Sequence, residues 1–406
     1  MNPNGNRSPN ENANQPPNQK PNQYPDMNTN MNPNQNTNGN PNQNSSQDSS
    51  QNPNLNPDNS PDQNSNGNRN EYANPYEAPN ANAGASGQPQ PDAIRMIIDA
   101  DTGIDDAMAI LYALKHPGIR VEGITTVFGN IPVERATDNS LRIVRLANAP
   151  YEVPVHPGAS APLVREPTGF AAEVHGTNGI GDVELPASEA KAQAEPAADF
   201  LIRKADELGG RLTLCALGRL TNVANALVRD PSLAGKLDRI YVMGGAVRVP
   251  GNVTPVAEAN IWGDPEAADI VFRSGAPITM VGLDVTMKTL LRQTDLDLLL
   301  RLCKPENRDI ARFLNDSMRF YFDFYRESNS FFACAPLHDP LTVLAAIEPG
   351  VLRTEEMRIA VDCESRLCAG MTVADLRRRP LVGSPVRVAA DVDAELAVAK
   401  LLNVFL

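Results

Sequence analysis

Residues 1 to about 92 contain almost no Val, Ile, Leu or Phe. Asn, Pro, Gln, Ser and Gly take their place, as in MNPNGNRSPNENANQPPNQKPNQYPD. A segment so poor in apolar side chains cannot bury enough surface to offset chain entropy, which excludes a packed core there and predicts a disordered tail. Its Asn and Gln richness is prion-like, but the frequent prolines oppose β-stacking. A basic patch is lacking too. Lys and Arg total 36 against 49 Asp and Glu, and of the net charge of −13 the tail, with eight acidic and three basic residues, carries −5. That balance excludes a nucleic-acid partner held through phosphate contacts. No apolar run approaches the length of a membrane span, so no membrane partner is expected. The N-terminus has no basic stretch followed by an apolar one, so no secretory signal is expected. The five cysteines, Cys215, Cys303, Cys334, Cys363 and Cys368, are odd in number and form no C-x-x-C pair. They exclude a zinc ribbon or a disulfide frame and point to reduced thiols in the cytoplasm.

From residue 93 to residue 406 the composition becomes globular, with no Pro/Ser linker to divide it. Roughly 300 residues is large for one core but within reach of an α/β domain. Short β-rich runs alternate with helical patterns. The strand candidates are RMIID (95–99), VEGITTVF (121–128), LTLCAL (212–217), RIYVMG (239–244) and ITMVGLDV (278–285). Between them lie DDAMAILYALKH, VERATDNSLRIVRLANA, PAADFLIRKADELGG, LTNVANALVRD and DPEAADIVFRSG. Gly209 and Gly210 read as a helix stop, and Asp264-Pro265 as an N-cap followed by proline at the first helical position. This alternation predicts right-handed βαβ units and a mostly parallel sheet. Past residue 295 the pattern turns helical (DLDLLLRLC, RDIARFLNDSMRFYFDFYRES). It ends in short strands (MRIAVDCES, PVRVAAD) and a last helix (AELAVAKLLNVF).

The densest chemistry lies in DADTGIDDAMAI, residues 99–110. Asp99, Asp101, Asp105 and Asp106 share a short turn between a strand candidate and a helix candidate. One or two acids at a helix start need no more than an N-cap or the helix dipole to explain them. Four so close repel one another by more than one helix terminus offsets, and the compensating cation is expected to be a hard, oxygen-loving ion, Ca²⁺ or Mg²⁺. In open α/β sheets ligands gather at the carboxyl ends of strands, where this turn lies. Two further segments are rich in polar side chains. GNVTPVAEANIWGDPEAA (251–268) sets Asn252, Glu258 and Asn260 around a proline, as suits either sugar hydroxyls or an ordinary polar loop. APLHDP (335–340) places His338 and Asp339 where a helix begins, and a histidine there can titrate near neutral pH.

These segments together resemble the inosine-uridine preferring nucleoside hydrolases. DADTGIDDA is similar to that family's D-x-D-[PT]-G-x-D-D signature. VFGN with Asn130, VHGTNGIGD with His175, LGRLTN, MGG, GNVTPVAEAN and LHDP follow in the family's order. The resemblance covers roughly residues 94–406 and says nothing of the tail. It implies a single open, mostly parallel sheet flanked by helices, with a Rossmann-like core, acting as one nucleoside hydrolase domain. It implies hydrolysis of the N-glycosidic bond of ribonucleosides to free base and ribose, for purine and pyrimidine salvage, with one Ca²⁺. Asp101, Asp106, Asp339 and the backbone carbonyl of Leu217 would hold the calcium, and Asp101 would also be the general base for a calcium-held water. Asp105, Asn260 and Asp339 would bind the ribose hydroxyls, Asn252 and Glu258 the 5′ side, and Asn130 would line the ribose pocket. His338 and His175 would lie by the nucleobase, His338 as the acid for the leaving group. A homodimer or homotetramer is the family default.

Cleavage through an oxocarbenium-like ribosyl cation suits a carboxylate-ringed site. Two departures stand out. Ala259 replaces an aromatic residue common between Glu and Asn, and Trp262 is the chain's single tryptophan, which rules out a paired-tryptophan clamp on a purine. Tyr321 and Tyr325, four apart on a helix, either line the base pocket or simply pack. Two other classes fit parts of the pattern. A nucleoside-binding protein with weak catalysis would not need the general base. A Mg²⁺-dependent D-x-D phosphatase of the haloacid dehalogenase type expects Thr or Val where Gly103 stands, and leaves Asp105-Asp106 and GNVTPVAEAN without a role.

Overall fold

The computed structural model describes residues 89–90 and 92–406, and the tail expected over residues 1–92 falls almost wholly outside the described residues. The folded part is built on a nine-stranded sheet. In chain order its strands are β1 (Ile94–Ala100), β2 (Ile119–Thr126), β3 (Val155–Pro157), β4 (Leu212–Ala216), β5 (Leu237–Met243) and β6 (Ile278–Val281). Next come β7 (Leu290–Arg292) and β8 (Cys334–Pro336), which form a separate antiparallel pair. β9 (Leu352–Val361), β10 (Thr372–Ala374) and β11 (Ser384–Val392) complete the large sheet. Across the large sheet the order is β10-β9-β11-β6-β5-β4-β1-β2-β3. From β3 to β11 every neighbouring pair is parallel, and β9, near one edge, runs antiparallel to both of its neighbours, β11 and β10. The mostly parallel sheet expected from the alternating pattern is therefore present.

The period of the strands decides which side chains meet which helices. On β1, Met96, Ile98 and Ala100 join one apolar layer and Ile97 joins the other. Likewise Cys215 of β4 faces the first layer while Leu212, Leu214 and Ala216 face the second. Parallel strands buried on both faces read as continuous apolar runs, and β1 and β4 do so. The helix Ile104–Lys115 is buried from Ile104 through Leu114 because it is wedged between the sheet and the helices Val133–Ala147 and His338–Ile347. Its sequence, AMAILYAL, is apolar on every side for that reason.

β1 has β2 on one side and β4 on the other, so the chain order reverses between β1 and β4. The loops that leave the carboxyl ends of these two strands diverge and open a crevice, the usual place for a ligand in an open α/β sheet. Into it run residues 101–106 after β1, 127–130 after β2, 217–222 after β4 and 244–260 after β5.

Some local expectations shift. ITMVGLDV is strand only to Val281. Leu283–Thr286 is a helical turn, since the Leu283 amide donates to the Gly245 carbonyl (2.9 Å) and Asp284 accepts the amides of Val247 and Arg248. Asp264 caps the helix Pro265–Arg273 by accepting the Ala267 amide (3.1 Å), as its sequence predicts. Gly209 and Gly210 adopt positive φ at the end of the helix Ala197–Leu208. Among the described residues no helix is long and apolar enough to cross a membrane.

Candidate active site

Asp99 ends β1 and is wholly buried. Its Oδ1 accepts the Thr125 hydroxyl (2.5 Å) and the Asn222 side-chain amide (2.8 Å). Asn222 also reaches the Thr126 carbonyl and the Ala159 amide, so Asp99 ties together the loops that frame the crevice. Burial pushes its carboxyl up to about 7.

Asp101 follows on the first turn. Its Oδ2 accepts the backbone amide of Asn130 (2.7 Å) and Nη1 of Arg219 (2.8 Å). Gly129 makes room for this contact, because a Cβ there would stand 1.9 Å from that oxygen. Burial raises the Asp101 carboxyl while the Arg219 guanidinium opposes the rise.

Asp105, Asp106 and Asp339 form the tightest group. Among the described residues, these three can offer carboxylate oxygens within 4.8 Å of one another. Asp105 and Asp106 lie in the first turn of the helix Ile104–Lys115, and Asp339 in the first turn of the helix His338–Ile347. The two helix N-termini thus converge, and their dipoles favour negative charge there. Asp106 Oδ2 accepts the Gly103 amide (2.8 Å) and the Asn130 side-chain amide (3.2 Å). Asp105 accepts from the Tyr321 hydroxyl, and burial together with the charge of Asp101 lifts it to about 7. Burial first, then repulsion from the neighbouring acids, raises Asp106 and Asp339 well above the usual carboxylate range.

Among the described residues, six buried side-chain polar atoms lack a hydrogen-bond partner, and four of them are here: Asp99 Oδ2, Asp101 Oδ1, Asp106 Oδ1 and Arg219 Nε. Such atoms are rare in folded proteins and mark where an ion, water or ligand belongs. An all-oxygen donor set of mutually repelling acids fits a hard divalent cation. The Leu217 carbonyl stands at the mouth of β4 and accepts Asn260 Nδ2 at 2.6 Å.

The remaining expected residues are placed as follows. Asn130 touches the acids from both its backbone and its side chain. Asn260 donates to Leu217 and to the Met243 carbonyl (3.2 Å), which holds it across the ends of β4 and β5. Both oxygens of Glu258 accept backbone amides: Asn260 (2.9 Å) on one side, Gly245 (3.0 Å) and Ile261 (3.2 Å) on the other. Asn252 is exposed and accepts the Ala259 amide (3.0 Å). Glu258 and Asn252 therefore build the loop that carries Asn260. His175 Nδ1 accepts the Ile104 amide (3.2 Å), and its ring lies 5.7 Å from that of Tyr321. His338 is held at both nitrogens, by the Tyr325 hydroxyl at Nε2 and the Thr286 hydroxyl at Nδ1, each at 2.8 Å.

One expectation is corrected. A histidine near neutral pKa does not exist at this site. Burial takes His338 down to about 4, and burial with the charge of Arg219 takes His175 down to about 3. Both are neutral imidazoles at physiological pH, able to relay a hydrogen bond but not to act as a resident imidazolium. Two residues escaped the reading of the sequence. Thr286 gives no local signal. Arg219 does, as the lone charge in the otherwise uncharged strand-to-helix turn LGRLTN.

The family model for inosine-uridine preferring nucleoside hydrolases matches residues 96–399. The chain is 43% identical over 309 residues to a uridine nucleosidase from Arabidopsis thaliana, spanning 74% of this chain and 90% of that protein. Among solved structures, a plant nucleoside hydrolase shares 38% identity and a TM-score of 0.72, covering 78% of this chain and 99% of its own. A purine-preferring ribonucleoside hydrolase from Gardnerella vaginalis is similar at 38% identity and a TM-score of 0.71, covering 77% and 98%. These matches remove the D-x-D phosphatase alternative.

Proposed function

This chain belongs to the inosine-uridine preferring nucleoside hydrolase family, and from that premise we propose that it splits ribonucleosides into free base and ribose at a Ca²⁺ site, with Asp101 as general base. The observation that carries this reading is the pair of buried, unpartnered oxygens, Asp101 Oδ1 and Asp106 Oδ1, set among four acids at the sheet's reversal point. Asp101, Asp106, Asp339 and the Leu217 carbonyl would hold the ion. When bound, calcium supplies a positioned, more acidic water.

The protein's own groups supply the rest. Asp101 takes the proton from the attacking water. Asp105, Asp339 and Asn260 hold the ribose hydroxyls, with Asn130 bracing the acids beneath them. Asn252 and Glu258 shape the 5′ side through the loop they pin. As the glycosidic bond lengthens, positive charge grows on the ribose and the surrounding carboxylates stabilise it. The departing base needs a hydrogen-bond donor. The Tyr325 hydroxyl and His338 Nε2 are hydrogen-bonded at 2.8 Å, and this neutral pair, with His175 beside it, would orient the departing base by donating a hydrogen bond to it.

We further place this activity in purine and pyrimidine salvage in the cytoplasm, a compartment that the five free cysteines support. Residues 93–406 would form the catalytic domain and residues 1–92 a dispensable tail. Val373, Leu376, Leu381 and Val382, exposed on edge strand β10 and the turn after it, support a homodimer or homotetramer, which sedimentation would reveal. The functional test is release of reducing sugar from inosine and uridine. Turnover should disappear on chelation, return with Ca²⁺, and be the same for a chain beginning at Pro89. Turnover that survives full chelation refutes the metal site.

His338→Ala separates leaving-group assistance from binding. Inosine and uridine need a proton on the departing base, whereas p-nitrophenyl riboside does not. The variant should lose roughly 10²-fold in kcat on the natural nucleosides and little on the surrogate. Because His338 stays neutral down to about pH 4, the loss should be equal at pH 6 and pH 8. Equal losses on both substrate types would make His338 a binding or structural residue.

A further inference from the structure

Asp101 is gripped on one oxygen and free on the other. Oδ2 accepts the Asn130 amide and Arg219 Nη1, while Oδ1 has no partner. Arg219 is 7% exposed and brings a planar guanidinium, a fork of N–H donors, into the buried site. The fold has cleared space for it on two sides. A Cβ on Gly263 would stand 2.3 Å from Arg219 Nε, and one on Gly129 would stand 2.5 Å from Nη1. Beyond Asp101 it reaches Asn260 Oδ1 at 3.5 Å, and Nε is left unpartnered. Its side-chain hydrogen bonds both run into the site, to Asp101 and Asn260, and Gly263 stands where a side chain would collide with it. What it does is set a guanidinium against a cluster of acids that otherwise repel.

We propose that Arg219 is a positioning residue of this site: it locks the Asp101 carboxylate so that only Oδ1 faces the ion and water, and its charge weakens the site's hold on a divalent cation. The inference rests on the metal-dependent hydrolase reading above. A guanidinium bound to one carboxylate oxygen fixes the plane of that carboxylate, and a base held in plane reacts faster than one free to rotate. The same charge repels an incoming cation across a poorly screened interior. Affinity for the ion is thus traded against the orientation of the base.

The test uses metal-stripped full-length protein, titrated with Ca²⁺ by calorimetry in the absence of nucleoside. Arg219→Met keeps the stem and removes the charge. It should bind Ca²⁺ roughly tenfold to a hundredfold more tightly than the wild type. At saturating Ca²⁺ its kcat for uridine should fall about tenfold or more, with KM changed less than about threefold. Arg219→Lys keeps the charge and loses the fork. Its Ca²⁺ affinity should stay within about threefold of wild type, and it should recover part of kcat. Should Arg219→Met not fold, Arg219→Gln serves as the neutral variant with the same expectation. Unchanged or weaker Ca²⁺ binding in the neutral variant overturns the proposal, as does an unchanged kcat at saturating ion. Calcium binding is measured without turnover, so the two readings fail separately. A wild type that cleaves no nucleoside refutes the hydrolase mechanism whatever Arg219 does. Active enzyme with indifferent Arg219 variants refutes only this inference.

Discussion

Asp101→Asn should lower kcat by about 10²–10⁴-fold at saturating Ca²⁺, the usual weight of general-base catalysis. Asn matches Asp in shape, and its side-chain oxygen can still accept the Asn130 amide that now binds at 2.7 Å. It cannot take a proton from water, and it offers the ion a neutral oxygen in place of a charged one. The fold should survive. The change leaves Arg219 without its ion-pair partner, a cost for a buried charge, but it also removes one of four acids whose mutual repulsion adds to the rise that burial gives Asp105, Asp106 and Asp339. A melting curve alongside the kinetics separates the two effects. Because water attacks whatever the leaving group, the loss should be as large for p-nitrophenyl riboside as for uridine, unlike the loss in His338→Ala. Near-normal turnover by a folded, metal-replete Asp101→Asn enzyme would remove Asp101 from the role of base.

The second large effect concerns the sugar. 2′-Deoxynucleosides should be turned over with kcat/KM lower by about 10³-fold or more than the matching ribonucleosides. Asp105, Asp339 and Asn260 are all buried. A buried group that loses its substrate hydroxyl finds no water to replace it, and it carries that cost into the transition state. The comparison is made on inosine against 2′-deoxyinosine and on uridine against 2′-deoxyuridine, so that the base is constant within each pair. Similar kcat/KM values in either pair would show that these three residues do not hold the 2′-hydroxyl.

Much of this site is written locally. Asp101, Asp105 and Asp106 sit in one strand-turn-helix segment, and their crowding is legible because like charges at that spacing require a counter-ion. Strand and helix alternate with clear periods, so the parallel sheet and the carboxyl-end location of the acids follow from the chain itself. The Asp264-Pro265 cap is legible for the same reason, since its hydrogen bond closes within three residues. The short strands β3, β7, β8 and β10 leave no such trace, because three residues are too few to show a period.

By itself, then, the sequence determined the class of fold, the acidic turn at a strand end, the polar loop that carries Asn260 and the family to which these motifs belong. Tertiary structure alone decided which groups meet. Asp339 joins Asp105 and Asp106 only because two helices, remote in the chain, aim their N-termini at the same crevice. Glu258 is tied to the end of β5 because the Gly245 loop delivers an amide to it. The histidines lose their neutral-pH titration because burial removes the water that would solvate their charge. Arg219 finds Asp101 because glycines elsewhere in the chain leave room for it. Periodicity and capping are properties of a few consecutive residues. Burial, charge pairing and pKa depend on what the rest of the chain brings alongside, so they exist only once the chain has folded.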